Sequence, residues 1–206
     1  MLSLPRRTAT GWFLVSMMGA TACAAANAGE QGPAIPDGRS ETTVYLIRHG
    51  EKTSDTEENP DLSERGRARA ESLAVQLRDS GVNVIITSEL KRTIQTAAPL
   101  AKARHIRPKV IAIGSSVDNH VKQIADEVMK HPGATVLIVG HNNTVGKIVQ
   151  KLGGGVIGDI CTDEYSNLII MSIAKGRAAK ILLETYGVPD PEQMGTNRCT
   201  RLRDRY

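Results

Sequence analysis

Thr43-Val44-Tyr45-Leu46-Ile47-Arg48-His49-Gly50 is the stretch on which the reading of this chain turns. Five β-branched, aromatic or aliphatic residues in a row are long enough for a strand and too short for a helix. They do not alternate with polar residues, so both faces of that strand are expected to be covered, as in a parallel sheet between helices. The run then breaks into an arginine, a histidine and a glycine.

The same pattern recurs downstream. Ser63 is a fair N-cap for a helix that runs to about Ser80 and stops at Gly81. Val82 to Thr87 reads as a second buried strand. A helix from Leu90 to Ala103 has Leu90, Ile94, Ala97, Ala98 and Ala101 on one face. Val110 to Ile113, a helix over Val117 to Lys130, a strand over Ala134 to Val139 and a helix over Asn143 to Leu152 follow. Asn167 to Ile173 and Ala179 to Thr185 form a hairpin about Lys175-Gly176. Strands alternating with helices imply crossover units, so the expected fold is α/β, a three-layer α/β/α sandwich on a mostly parallel sheet.

Residues 1–28 carry Arg6-Arg7, an apolar run from Gly11 to Ala26 and an Ala26-Asn27-Ala28 exit. That order is the pattern of a signal peptide, and it implies an exported, periplasmic or secreted protein. Cys23 lies in a poor lipobox, which disfavours lipidation there. Residues 29–42, polar and rich in Gly and Pro, read as a disordered linker. The expected domain covers 43–187, with a C-terminal tail over 188–206. The chain has 26 Lys and Arg against 22 Asp and Glu, a net charge of +4. Two of those arginines and the chain's Trp12 and Phe13 all belong to the leader. What remains has no clustered stacking aromatics of the kind a nucleic-acid binder uses. No other segment approaches the ~20 apolar residues that span a bilayer.

Without the leader, Cys161 and Cys199 form an even pair, which is a plausible disulfide in an oxidising compartment. It would tie the tail to the body and contribute roughly 3–4 kcal/mol. The tail's Arg198, Arg201, Arg203 and Arg205 read most simply as a solvated end.

Ligands of open α/β sheets collect at the carboxyl ends of the strands. Arg48-His49-Gly50 follows the first strand, Ser88 and then Arg92 the second, and Gly140-His141-Asn142 the fourth. Two arginine forks suit phosphate oxygens. A neutral imidazole is a competent nucleophile toward phosphorus, and a second, protonated imidazole can donate to the same oxygens. Gly50 is read as letting the backbone approach the ligand. The set His49, Arg48, Arg92 and His141 therefore suggests phosphoryl transfer through a phosphohistidine. A metal site would call for a third ligand, and Arg48 would oppose a cation. No metal or cofactor is expected. His105, His120 and His131 are expected on the surface.

Four motifs carry a resemblance. Val44-Tyr45-Leu46-Ile47-Arg48-His49-Gly50-Glu51 resembles the signature of the histidine phosphatase superfamily, the phosphoglycerate mutase-like proteins. Leu62-Ser63-Glu64-Arg65-Gly66 resembles that family's helix start. Ser88-Glu89-Leu90-Lys91-Arg92-Thr93-Ile94-Gln95-Thr96-Ala97 and Val139-Gly140-His141-Asn142 resemble its later motifs. The resemblance spans about Thr43 to Gly187. It implies the phosphoglycerate mutase-like fold, branch 1, His49 as nucleophile, and a phosphate pocket of Arg48, Arg92 and His141. Lys52-Thr53 departs from the mutase branch, and that branch's acid-bearing segment is absent. Asp118 is the nearest candidate acid and reads more simply as a helix N-cap, while Glu89 reads as helix surface.

The expected activity is hydrolysis of a phosphate monoester or other phosphorylated substrate, small or polymer-attached. Two other readings stand beside it: a non-catalytic phospholigand-binding protein of the envelope, and a mutase-type phosphotransferase. Without a firm acid, substrates with good leaving groups fit best.

Overall fold

A computed structural model describes residues 41–190 and 199–205. The leader of 1–28, nearly all of the linker of 29–42, and Arg198 lie outside the described residues. Six strands and four helices alternate as the sequence implies. They are β1 (Thr42–Arg48), α1 (Glu64–Gln76), β2 (Val84–Thr87), α2 (Lys91–Ala103), β3 (Lys109–Val110), α3 (Val117–Met129), β4 (Thr135–Gly140), α4 (Val145–Lys151), β5 (Asn167–Ile173) and β6 (Lys180–Thr185). A short 3-10 turn, Leu202–Asp204, follows. The sheet order is β3-β2-β4-β1-β5-β6. β3, β2, β4 and β1 are parallel, and β5 and β6 form the antiparallel hairpin.

The unbroken apolar strands do cover both faces. On β1, Val44 and Leu46 join the core under α3 and α4, with Val121, Ile124 and Ile148. Ile47 faces the other side, with Leu73 of α1 and Leu100 of α2. On β4, Val136 and Ile138 divide from Leu137 and Val139 in the same way. Burying an aliphatic side chain of this kind stabilises the fold by roughly 1.5–3 kcal/mol.

Local chemistry sets the element ends. Ser63 caps α1 by accepting from the Gly66 amide at 3.1 Å. Ser116 caps α3 by accepting from Asn119 N, so the expectation that Asp118 is the cap is corrected. Asp118 stands in the first turn and pairs with Lys147 at 2.9 Å. β3 is two residues long and ends earlier than expected, because the chain leaves the sheet after Ile111 N bonds Thr87 O. α2 buries Thr93, Thr96, Ala97, Leu100 and Ala101, a face rotated from the expected one, and leaves Ile94 exposed. Two threonines can turn inward because their hydroxyls find partners. Thr96 bonds Arg92 O at 2.6 Å and receives Gly50 N at 2.9 Å.

The tail is docked on the body, while its Arg203 and Arg205 stay exposed as expected. Leu202 is fully buried in the core. Arg205 bonds the carbonyls of Ile157 and Asp159, both at 2.7 Å. Arg201 meets Asp163 at 3.5 Å. Cys161 and Cys199 lie with their sulfur atoms together and their Cα atoms 5.8 Å apart, a spacing two thiols can bridge.

α1 packs directly on the chain that leaves β1. A Cβ on Gly66 would stand 2.1 Å from the Glu51 carbonyl oxygen. Gly66→Ala is expected to cost about 2–3 kcal/mol in chemical denaturation, since backbone has to move. Unchanged stability would show that the packing gives way freely.

Candidate functional site

Register brings the site together. Arg48 pairs with Gly140 across β1 and β4, and Thr87 pairs with Val139 across β2 and β4. The residues after each strand, His49, Ser88 and His141, therefore emerge side by side, and His49 N bonds Gly140 O at 3.0 Å. Arg92 joins them from the first turn of α2. All four expected residues, Arg48, His49, Arg92 and His141, line one cavity of about 620 Å³. The rings of His49 and His141 stand edge to face with centroids 5.3 Å apart.

His49 is 3 % exposed, and its Nδ1 lies 2.8 Å from the Gly50 carbonyl. A carbonyl only accepts, so Nδ1 carries the hydrogen and Nε2 keeps the lone pair. His141 is held by Ser88, whose Oγ is 3.0 Å from its Nε2, and Ser88 is in turn fixed by Thr93 at 2.9 Å. Thr144 Oγ1 accepts from His141 N at 2.8 Å.

Charge in this pocket is one-sided. Burial drives the His49 pKa down to about 2, with Arg48, His141 and Arg92 pushing the same way. Burial and Arg92 take His141 to about 3. The expectation of a protonated second imidazole is therefore corrected for the unliganded pocket: both rings are neutral. Burial also lowers Arg48 and Arg92, and both guanidinium groups stay charged. The buried Nε–H groups of Arg48 and Arg92 have no hydrogen-bond partner in the protein. Two cationic side chains lining a cavity beside two neutral imidazoles are the chemistry of an anion site.

Gly50 serves a different neighbour from the one expected. A Cβ there would meet the Gly66 carbonyl at 2.9 Å, so its smallness lets α1 pack. His120 is not on the surface: it is 1 % exposed, with Nδ1 bonded to the Ala112 carbonyl. His105 is exposed and His131 pairs with Glu127. Asp118 is outside the cavity, and Glu89 is spent accepting Ile113 N at 3.0 Å. The carboxylates that do line the cavity are Asp55, paired with Lys52 at 2.8 Å, and Asp163, paired with Arg201. Among the described residues, no three His, Cys, Asp or Glu side chains come together as metal ligands would.

One wall was not anticipated. Thr162, Asp163 and Tyr165 come from the loop before β5. Because β5 runs antiparallel to β1, its amino end sits at the carboxyl end of β1, with Leu168 opposite Ile47. The rule that sites lie at strand carboxyl ends covers parallel strands, and an antiparallel neighbour contributes its amino end instead.

A parallel-sheet edge that gathers Arg48, His49, Arg92 and His141 defines an α/β protein with a candidate anion site. The comparisons fit that class. The family model described as histidine phosphatase superfamily (branch 1) matches residues 44–112. A phosphoserine phosphatase 1 of Hydrogenobacter thermophilus is 46% identical over 48 residues, 23% of this chain and 23% of that protein's length. Among solved structures, a putative alpha-ribazole-5'-P phosphatase from Escherichia coli superposes with a TM-score of 0.57 at 15% identity, covering 76% of this chain and 99% of that one. The protein histidine phosphatase SixA complexed with tungstate gives 0.56 at 16% identity, covering 69% and 96%. A mycobacterial glucosyl-3-phosphoglycerate phosphatase gives 0.55 at 14%, covering 71% and 98%. These likenesses establish the fold. The residues matched by the family model, 44–112, include Arg48, His49 and Arg92, and His141 lies beyond them.

The depressed histidines have a consequence for stability. Below the ordinary value of 6.5 the unfolded chain takes up protons that native His49 and His141 refuse. Stability is therefore full above about pH 6.5 and falls as pH drops from there towards 3, by about 1.4 kcal/mol per pH unit for each ring. Imidazole NMR titration should show both rings neutral at pH 5 without added anion. Ordinary titration of both near 6.5 would contradict this electrostatic account.

Proposed function

We propose that the protein is a phosphatase that works through a phosphohistidine on His49. The observation that carries the reading is the convergence of Arg48 and Arg92 on one cavity wall beside a neutral His49 whose Nδ1 is held by the Gly50 carbonyl, which leaves Nε2 to attack. A phosphoryl group seated in the cavity would have its oxygens met by Arg48, Arg92 and His141. Its charge would also raise the pKa of both imidazoles, so that His141 could become a charged donor once the site is filled. In the first step the Nε2 lone pair forms an N–P bond and the bond from phosphorus to the leaving group breaks, the leaving group taking a proton. In the second, water attacks phosphorus, the N–P bond breaks and inorganic phosphate leaves. The arginines stabilise charge on the equatorial oxygens throughout.

Both carboxylates at the cavity are already ion-paired, which favours substrates whose leaving groups need little protonation, such as aryl or acyl phosphates and phosphoramidates. Hydrolysis of an aryl phosphate in the presence of EDTA tests the reading. His49→Ala should lower kcat about a thousandfold or more, and trapping under alkaline denaturing conditions, where an N–P bond survives, should label the wild type and not that variant. Wild-type protein that turns over no member of a broad phosphate panel would sink the enzyme reading. Rates independent of leaving-group pKa would reveal an effective acid.

Residues 1–28 support export as the protein's destination, and among the described residues no helix is long and apolar enough to cross a membrane. A Cys161–Cys199 disulfide accords with an oxidising compartment. Protein taken from the periplasm or medium should resist alkylation at both thiols. Cys199→Ser should lose roughly 3–4 kcal/mol of stability. Two freely alkylated thiols in the exported protein would count against the bridge.

A further inference from the structure

Arg48 is held in a way that phosphate binding alone does not require. Its Nη1 donates to the carbonyls of Cys161, Thr162 and Glu164 at 3.0, 2.8 and 2.9 Å. Its Nη2 lies 3.2 Å from the Tyr165 hydroxyl. The Tyr165 ring lies against the guanidinium with Cζ 3.9 Å from the ring centroid. The same ring stands edge to face with His49, centroids 6.3 Å apart. One side of the guanidinium is thus occupied by protein. The Nε–H is buried without a protein partner, and the arginine forms part of the cavity wall.

The loop that makes this clamp is itself anchored. Asp190 accepts from the amides of Tyr165 at 2.9 Å and Ser166 at 3.1 Å, and it meets buried Arg69 at 3.5 Å. Glu164, 2 % exposed, accepts from Cys161 N and from Leu202 N in the docked tail, both at 3.1 Å. A guanidinium on a flexible stem pays rotamer entropy whenever it is ordered by a ligand, and a clamp that orders it beforehand lowers that cost.

We propose that Tyr165 is a positioning residue that acts through Arg48, pressing the guanidinium onto the 161–164 carbonyls so that it is held fixed at the wall of the cavity where the phosphoryl group would sit. The proposal rests on the phosphatase reading for its catalytic consequence, while its binding consequence stands by itself. Stacking contributes most of the clamp and the hydroxyl the remainder.

A double-mutant cycle on the purified full chain tests it, with orthovanadate affinity measured by calorimetry and kcat and KM measured on an aryl phosphate. Tyr165→Ala should weaken orthovanadate binding about tenfold and raise KM more than it lowers kcat. Tyr165→Phe, which keeps the stacked ring, should recover all but two- to threefold. In an Arg48→Ala background, Tyr165→Ala should have less than a twofold further effect. If Tyr165→Ala fails to unfold cooperatively, Tyr165→Leu, which keeps the bulk and lacks the ring, takes its place in the cycle with the same expected losses. A second tenfold loss in the Arg48→Ala background, or wild-type affinity in Tyr165→Ala and Tyr165→Leu, would overturn the proposal. An intact cycle for orthovanadate with no turnover of any phosphate would sink the phosphatase reading and leave Tyr165 as the organiser of an anion site.

Discussion

Two guanidinium groups and two imidazoles share one largely buried pocket, and the carboxylates on its wall are already paired elsewhere. The rest of the site follows from that crowding of positive charge. Water would normally spread such charge, but here the groups are sunk among β-strand ends and helix starts. The imidazoles respond by staying neutral, as isolated titratable groups in low dielectric do. The guanidinium groups cannot respond in that way, so the fold supplies carbonyl dipoles to Arg48 and sets both arginines on the cavity wall. A phosphoryl dianion is the complement to this field. Electrostatic preorganisation of this kind is available to a transition state without reorganisation at the moment of reaction.

The surroundings keep that unfavourable arrangement in place. Glu51, the residue after the Arg48-His49-Gly50 turn, is tied to Arg69 of α1 at 2.7 Å and to Arg65 at 2.9 Å. Burial alone would raise the Glu51 pKa, but the Arg69 hydrogen bonds, a backbone hydrogen bond and the charges of Arg69 and Arg65 together outweigh it and hold the carboxylate charged. Arg69 is 1 % exposed and reaches Tyr186 O and Asp190 as well. Tyr186, fully buried, has its hydroxyl pushed up by desolvation and keeps it protonated below the Arg48 carbonyl. This buried polar network links the end of β1, α1 and the segment after β6. Removing one member would leave the others unpaired in low dielectric, which costs more than the pair contributes.

Much of this was legible in the chain itself. The uninterrupted apolar strands declared a sheet covered on both faces. The residues just past them, His49, Ser88, Arg92 and His141, share one edge because parallel strands all deliver their carboxyl ends to the same side. Ser63 was readable as a cap because its hydroxyl and the amide three residues on have nothing else to bond. Two groups depart from a polar-means-surface reading for a common reason. His120 and the threonines of α2 are polar and yet buried, because a specific partner satisfies each: the Ala112 carbonyl for His120, and Arg92 O and Gly50 N for Thr96. In the tail, Arg203 and Arg205 do stay exposed, and it is Leu202 that is buried.

The sequence by itself determined the layered α/β architecture and the gathering of Arg48, His49, Arg92 and His141 at one sheet edge, because hydrophobic period and strand direction are local properties. Tertiary structure decided the protonation state of the histidines, which depends on burial and on charges brought from distant segments. It also decided that Tyr165 and the carbonyls of 161–164 close around Arg48 from more than a hundred residues away. No local pattern encodes that contact. It exists because β5 pairs antiparallel to β1, which carries the start of one strand past the end of the other.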